Sequence, residues 1–135
     1  LLNLVHTDLK HPDPWEHKRL TGVDNALILE NIRRADESPY RFDLVMRTPL
    51  IPGINDSEEA LAKSAEFAKG LKKLKEVEFL AYHRLGLETY RNLGWDYPLE
   101  EIRTPDREFM LEKARFFKSK APKITVKING IPVAA

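Results

Sequence analysis

The sequence predicts an α/β fold built on parallel strands. Three observations point there: strand-like and helix-like segments alternate along the chain, the strands are separated by helix-length connections, and the strand-like segments end on polar residues. The chain has 135 residues, 42% apolar and 32% charged, which suits one globular domain and excludes disorder, collagen and coiled coil. Lys and Arg total 22 against 21 for Asp and Glu, so no bulk charge favours nucleic acid or an acidic membrane. Apolar runs fall far short of the roughly 20 residues that span a bilayer, and no signal-peptide pattern opens the chain. No nucleic acid, no membrane and a cytoplasmic location are therefore expected.

The first strand is expected over Leu1 to Val5, an apolar run buried on both faces and bounded by Thr7 and Asp8. After the His11-Pro12-Asp13-Pro14 loop, Trp15 to Leu20 reads as a short helix stopped by Gly22. A second helix is expected from about Asn25 to Ala35, where Ile28, Ile32 and Ala35 recur at helical spacing. Phe42, Leu44 and Met46 alternate with Asp43, Val45 and Arg47, a strand ending at Thr48-Pro49. Asn55, Asp56 and Ser57 are N-cap candidates for a helix running to about Gly70, with Leu61, Ala65 and Ala68 on its buried side. Glu76 to Tyr82 is a third strand finishing at His83, and an ordered excursion follows from Arg84 to Arg103. Thr104 as N-cap with Pro105 behind it starts a last helix with Met110, Ala114 and Phe117 inward, before a final strand at Ile124 to Ile128.

In folds of this class the binding crevice lies at the carboxyl ends of the strands, which here carry Asp8/Lys10, Arg47 and His83. Two residues apart on an extended chain, Asp8 and Lys10 project to one side and suit a ligand bearing hydroxyls and a carboxylate; the alternative is a surface ion pair or a helix-capping Asp. Arg47 either presents its donor fork to a carboxylate, a phosphate or peptide carbonyls, or pairs with Asp43 or Glu78. His83 either contacts a heteroaromatic base, serves in proton transfer, or is simply solvated. His6 and Asp8 form a His-x-Asp pair that suggests a metal hydrolase, with His11, His17 or His83 as further ligands; the bland alternative puts these three in solvent or at a helix cap. Lys63, Lys69, Lys72, Lys73 and Lys75 read as a solvated helix face, because no aromatic residues interleave them for base stacking.

Taken together, four strings are more specific than any one of them: Asp8-Leu9-Lys10; His17-Lys18-Arg19-Leu20-Thr21-Gly22-Val23-Asp24-Asn25 running into Ile28 to Ile32; Arg47-Thr48-Pro49-Leu50-Ile51-Pro52-Gly53-Ile54-Asn55-Asp56; and Leu80-Ala81-Tyr82-His83-Arg84-Leu85-Gly86. This order resembles the C-terminal half of the glycyl-radical-enzyme activating enzymes of the radical S-adenosylmethionine superfamily, over nearly the whole chain. The resemblance implies the C-terminal half of a partial (β/α)6 TIM-like barrel with parallel strands. It implies S-adenosyl-L-methionine as cofactor and reductive cleavage of it to a 5′-deoxyadenosyl radical that takes a hydrogen from a glycine of a partner such as pyruvate formate-lyase. The 4Fe–4S cluster for that chemistry sits on a Cys-x-x-x-Cys-x-x-Cys loop expected upstream of Leu1.

By the same resemblance Asp8 and Lys10 hold the ribose and methionine parts of the cofactor, and His83 lies near adenine or ribose. Arg47 stands beside the cofactor and the partner's glycine loop, while Pro49 and Leu80 line the adenine side. Ala81 departs from the Pro common before the Tyr-His pair, and Thr89 from a common Lys. The chain has no cysteine, so the family's cluster ligands are missing, and no catalytic or metal-ligating residue is expected within it. It opens without Met inside an expected strand, which points to a fragment inactive by itself. An open first strand and barrel face are expected to make it self-associate. A non-catalytic binding or assembly module of the same fold is the alternative.

Overall fold

The computed structural model describes residues 2–134. Strands β1 (Leu4–Asp8), β2 (Asp43–Leu50), β3 (Leu74–Ala81) and β4 (Thr125–Ile128) pair in chain order and all parallel, and β5 (Ile131–Pro132) joins β4 antiparallel. Helices α1 (Pro14–Thr21), α2 (Ala26–Glu37), α3 (Glu58–Lys69), α4 (Leu87–Asn92) and α5 (Arg107–Lys120) occupy the connections. The expected parallel α/β arrangement is thus present. Among the described residues, no helix is long and apolar enough to cross a membrane.

Capping chemistry explains where the helices begin. Asp13 accepts from the backbone N–H groups of Trp15 and Glu16 at 3.0 and 3.1 Å, ahead of a proline at the first helical position of α1. Gly22 closes that helix at φ 85°, a conformation open to glycine without strain. Ser57 caps α3, with Glu58 and Glu59 complementing the positive end of the helix. The cap expected at Thr104 falls instead on Asp106, whose carboxylate accepts from Phe109 N at 2.8 Å, so α5 starts at Arg107. The Asp106 carboxylate, a charged acceptor at the positive helix end, prevails over the Thr104 hydroxyl two residues earlier.

The core lies between one face of the sheet and helices α3 and α5. Leu44, Met46 and Leu50 of β2, Val77 and Phe79 of β3, and Val126 of β4 are all buried there. They pack with Leu61, Ala65 and Ala68 of α3 and Met110, Ala114 and Phe117 of α5, the stripes that helical spacing predicted. Phe79 and Phe117 meet edge-on, with ring centroids 5.3 Å apart. Buried Asp36, in the last turn of α2, accepts from Lys72 N at 2.9 Å and Lys73 N at 2.6 Å, fixing the approach to β3. Hydrogen bonds to a buried carboxylate contribute about 1.5–3 kcal/mol each, so this clamp matters although no apolar pattern announces it.

Strand β1 differs from expectation. It begins at Leu4, later than the expected Leu1 start, and Leu1 itself lies outside the described residues. It is not buried on both faces: Leu2 and Leu4 are 66% and 47% exposed. The reason is its place at the end of the sheet, where β2 is its one strand neighbour and only the side bearing Val5 packs on the core. The last hairpin was also not anticipated. Asn129 and Gly130 take φ of 46° and 82°, the left-handed pair that a tight two-residue hairpin requires. Asn129 further accepts from Ala81 N through Oδ1 at 3.0 Å, anchoring the turn beside the end of β3.

Candidate functional site at the carboxyl edge of the sheet

Parallel pairing brings the carboxyl ends of β1, β2 and β3 to one edge. Asp8, Arg47 and Glu78 are direct register partners across three strands, and Lys127 of β4 continues the row. Side by side in register, these residues share the sheet face opposite the helix-packed core, which carries alternating charge. Lys127 closes on Glu76 at 2.7 Å. Arg47 donates through Nε to Asp8 Oδ1 at 3.0 Å, and its other contact reaches the same oxygen. The ion-pair alternatives foreseen for Arg47, Asp43 and Glu78, are therefore corrected to Asp8. Asp43 stands four residues back along the same strand, 4.0 Å from Lys75, while Asp8 is directly opposite. Both members of the Asp8–Arg47 pair are about two-fifths exposed, so the contact stabilises the fold by no more than about 1 kcal/mol. It orients two side chains more than it holds strands together.

Past Asp8 the chain stays extended for one more ladder bond, Leu9 N to Arg47 O at 3.0 Å. Leu9 is buried on the core side, leaving Asp8 and Lys10 exposed around it. Lys10 makes no salt bridge among the described residues. Pro49 and Leu80 are register partners on β2 and β3, both half-buried. His83 is exposed just past β3; of the six expected contacts only Lys10 and Pro49 line the cavity at this edge.

A residue that sequence reading treated only as a possible cap organises this edge. Asn55, buried in the loop after β2, donates from Nδ2 to Lys10 O at 2.8 Å and Pro49 O at 2.7 Å, and accepts from Ile51 N through Oδ1 at 2.8 Å. Lys10 and Pro49 are thereby held by one side chain. Asn25 acts similarly one loop away, donating to His11 O and Pro12 O at 2.9 and 3.0 Å while its own Oδ1 is buried without a partner. Only the geometry of the loops, not any spacing, distinguishes these amides from ordinary turn residues.

A cavity of about 790 Å³ opens between α1 and the excursion after β3, lined in part by Lys10, His11, His17, Pro49, Asn55 and Tyr97. His11 and His17 are 5% and 3% exposed, which corrects their expected placement in solvent or at a cap. Burial pushes the His11 imidazole below its usual pKa, against the opposing pull of Glu16 and Asp13. On the far wall, the buried Tyr82 hydroxyl donates to Tyr97 Oη at 3.1 Å, and burial together with that bond raises its pKa to about 12. Tyr90 packs edge-on against both Trp95 and Tyr97, so the excursion is folded on itself as expected of an ordered segment.

The residues at this edge suit the organic cofactor better than a metal. Lys10 forms no salt bridge among the described residues, both Arg47 contacts fall on one Asp8 oxygen, and Pro49 with Leu80 places two apolar side chains in register on the neighbouring strands. For a cluster or a hydrolytic metal the fit fails: the chain has no cysteine, and no three His, Asp or Glu side chains converge among the described residues. His6 and Asp8 share a strand face without a third ligand. Of the lysines read as a solvated helix face, Lys63 and Lys69 lie on α3 and meet carboxylates, but Lys72 and Lys73 fall in the loop after α3, with Lys73 Nζ donating to Ser38 O, and Lys75 belongs to β3, which corrects that part of the expectation.

No family model matches the chain. Among proteins similar in sequence, the pyruvate formate-lyase-activating enzyme of Staphylococcus epidermidis is 38% identical over 122 residues, 89% of this chain and 48% of that protein. The isethionate sulfite-lyase activating enzyme of Desulfovibrio desulfuricans is 43% identical over 102 residues, covering 75% of this chain and 32% of its own length. The indoleacetate decarboxylase activating enzyme of Tractidigestivibacter scatoligenes is 41% identical over 105 residues, with 77% and 32% covered. The chain thus spans from a third to about a half of the curated relatives it matches. Among solved structures, a domain of pyruvate-formate lyase-activating enzyme from Bacteroides vulgatus superposes with a TM-score of 0.72 at 28% identity, over 95% of this chain and 68% of that one. A radical SAM methyltransferase from Sphaerobacter thermophilus shares the fold at a TM-score of 0.59 and 17% identity, over 91% of this chain and 33% of that one.

Proposed function

Because the chain is homologous to the glycyl-radical-enzyme activating enzymes of the radical SAM superfamily, we propose that it forms the C-terminal half-barrel, residues 1–135, of such an activase. The observation that carries this reading is the sequence match over 89% of the chain to one activase. The whole protein would cleave S-adenosylmethionine reductively and remove a hydrogen atom from one glycine of a glycyl radical enzyme such as pyruvate formate-lyase, in the cytoplasm. Its cluster would rest on residues other than these, since this chain has no cysteine, and the chain by itself would be inactive.

Within this reading each side chain has a separate task. Lys10 neutralises the carboxylate of the methionine moiety, and Asp8 accepts from ribose hydroxyls while Arg47 steadies it from the next strand. Pro49 and Leu80 line the adenine side, with His83 near adenine or ribose. Arg47, exposed along its outer edge, also offers donors to peptide carbonyls of the partner. None of these groups exchanges a proton with substrate; they bind and orient.

The test is an NMR titration of the chain with S-adenosylmethionine. Weak binding is expected, with shifts confined to the carboxyl edge of β1 and β2, and Lys10→Ala should weaken it about tenfold, equivalent to about 1.4 kcal/mol. Unchanged affinity in that variant would withdraw the assignment of Lys10. The uncovered edge of β1, where Leu2 and Leu4 are exposed, and the open barrel face also make self-association part of the proposal, as a dimer or soluble aggregate. Sedimentation over a concentration series should show the weight-average mass rising; a constant monomer mass at high concentration would refute it.

A further inference from the structure

The tight turn between β4 and β5 carries chemistry that the carboxyl edge of β1 to β3 does not use. Of the six asparagines in the chain, Asn129 alone is followed by glycine. In an Asn-Gly pair the following backbone nitrogen carries no Cβ to obstruct its approach to the side-chain amide carbon, so a five-membered succinimide closes more readily there than before any other residue. Asn129 and Gly130 are both exposed, which gives water and hydroxide access. Asn25 and Asn55, by contrast, are buried, and their amides hold loop carbonyls.

The folded turn opposes that reaction twice. Asn129 at φ 46° and Gly130 at φ 82° form the left-handed pair of a two-residue hairpin, closed by the Ile128–Ile131 register pair. With Asn129 in that region the Gly130 nitrogen stands roughly opposite Cβ about the Cα–C bond, whereas ring closure needs the two nearly eclipsed. The Ala81 N–H also holds Asn129 Oδ1 at 3.0 Å, drawing the side chain toward the end of β3. What keeps the turn closed is slight. Strand β5 has two residues, both exposed, and Pro132 has no N–H to give to β4. Around it, Asn129 N donates to Phe79 O at 3.0 Å and Val133 N to Val126 O at 2.8 Å. A hairpin tied by so few bonds opens locally at a free energy well below that of global unfolding.

We propose that Asn129-Gly130 is a self-modification site gated by the β4–β5 hairpin: local opening lets Asn129 pass through a succinimide to aspartate or isoaspartate, and the product no longer closes the hairpin as before. In the opened turn the Gly130 nitrogen loses its proton to hydroxide and bonds to Asn129 Cγ; the Cγ–Nδ2 bond then breaks and ammonia leaves. Water adds at one of the two ring carbonyls. Opening at Cγ gives aspartate, and opening at the main-chain carbonyl gives isoaspartate, whose backbone runs through Cβ and Cγ. No oxidant, reductant or metal takes part, and nothing in this chemistry requires the activase reading. Isoaspartate lengthens the turn by one backbone carbon, which a two-residue hairpin cannot absorb. Aspartate sets a new carboxylate beside Glu78, whose Oε1 would be 3.9 Å from a Cβ at Gly130. Glu78 forms no salt bridge among the described residues, and its register neighbour Lys127 is held by Glu76 at 2.7 Å, so the two like charges meet uncompensated.

The test incubates the 135-residue chain at mildly alkaline pH and follows each asparagine by peptide mapping with mass spectrometry. A synthetic peptide spanning Lys127 to Val133 and the chain in urea below its unfolding transition are run in parallel. Asn129 should convert first, about tenfold or more slowly in the folded chain than in the peptide, and urea should bring its rate toward that of the peptide because local opening limits it. In the converted chain, separated by ion exchange, amide exchange at Val126, Ile128 and Val133 should accelerate while Leu61 and Phe117 in the core stay unchanged. Asn129→Asp, which adds the charge without the extra carbon, should loosen the same amides less than isoaspartate does. Earlier conversion at another asparagine, or none at Asn129 even in urea, would overturn the site. Equal rates in chain and peptide would overturn the gate, and unaltered exchange in the converted chain would overturn the loss of the hairpin.

Discussion

Phe117→Ala should lower the unfolding free energy by about 3–5 kcal/mol, the cost of emptying a large aromatic site that cannot collapse. Phe117 has no exposed surface and packs edge-on against the equally buried Phe79, at the junction of α5 with the sheet. Its neighbours Met110, Ala114 and Val126 are fixed by helix and strand backbone, so they cannot move in to fill the void. Since domains of this size are stable by only about 5–15 kcal/mol, the variant should lose a large fraction of its stability. Urea unfolding monitored by circular dichroism should show the midpoint lower by more than about 1 M. Phe116→Ala, one position round the helix and only partly buried, is the control and should cost less than half as much. Equal losses in the two variants would mean that the core is not centred where Phe79 and Phe117 meet.

Asn55→Ala should be the most damaging change at the carboxyl edge. It removes one acceptor for Ile51 N and two donors to the carbonyls of Lys10 and Pro49. Leaving such buried groups unpaired costs about 1–3 kcal/mol each before relaxation and water recover part of it, so a net loss of about 2–4 kcal/mol is expected. Asn55→Asp should be no better, because it keeps the acceptor but sets a carboxylate against two carbonyl oxygens. The distinguishing readout is local. Amide exchange at Ile51 should accelerate more than in the helical core, and Lys10 signals should broaden as its loop loosens. Uniform acceleration across the sheet would assign Asn55 to general packing rather than to holding this edge.

Much of the architecture was legible because it rests on periodicity. The stripes Leu61, Ala65, Ala68 and Met110, Ala114, Phe117 are written at helical spacing, and they are the residues buried in α3 and α5. Alternation located β2 and β3, although Val45 is buried as well as Leu44 and Met46, because on the face away from the core it sits in register between His6 of β1 and Glu76 of β3. What escaped was set by context. Apolar Leu2 and Leu4 gave no sign that β1 would lie at the end of the sheet. The Asn129-Gly130 dipeptide is a hairpin signal, but the strand after it is only two residues long, too short to carry an alternating pattern. At the edge, polar strand ends located Asp8 and Arg47, but their mutual pairing depends on register, which no single strand encodes. Asn55, Asn25 and the buried histidines act through loop backbone that only three-dimensional closure brings within reach.

The two ends of the sheet are unequal. At one, β5 is a two-residue stub whose Pro132 has no N–H to offer an incoming strand. At the other, β1 runs five residues with its outer side unpaired by any strand among the described residues. A molecule with adhesive edges at both ends can add copies indefinitely, whereas one with a single adhesive edge is exhausted after one event. Two such edges meeting about a two-fold axis close on each other and leave stubs facing outward. Where the proposed self-association runs through β1, strand-to-strand growth would therefore stop at a pair, because the short β5 hairpin offers no second pairing edge.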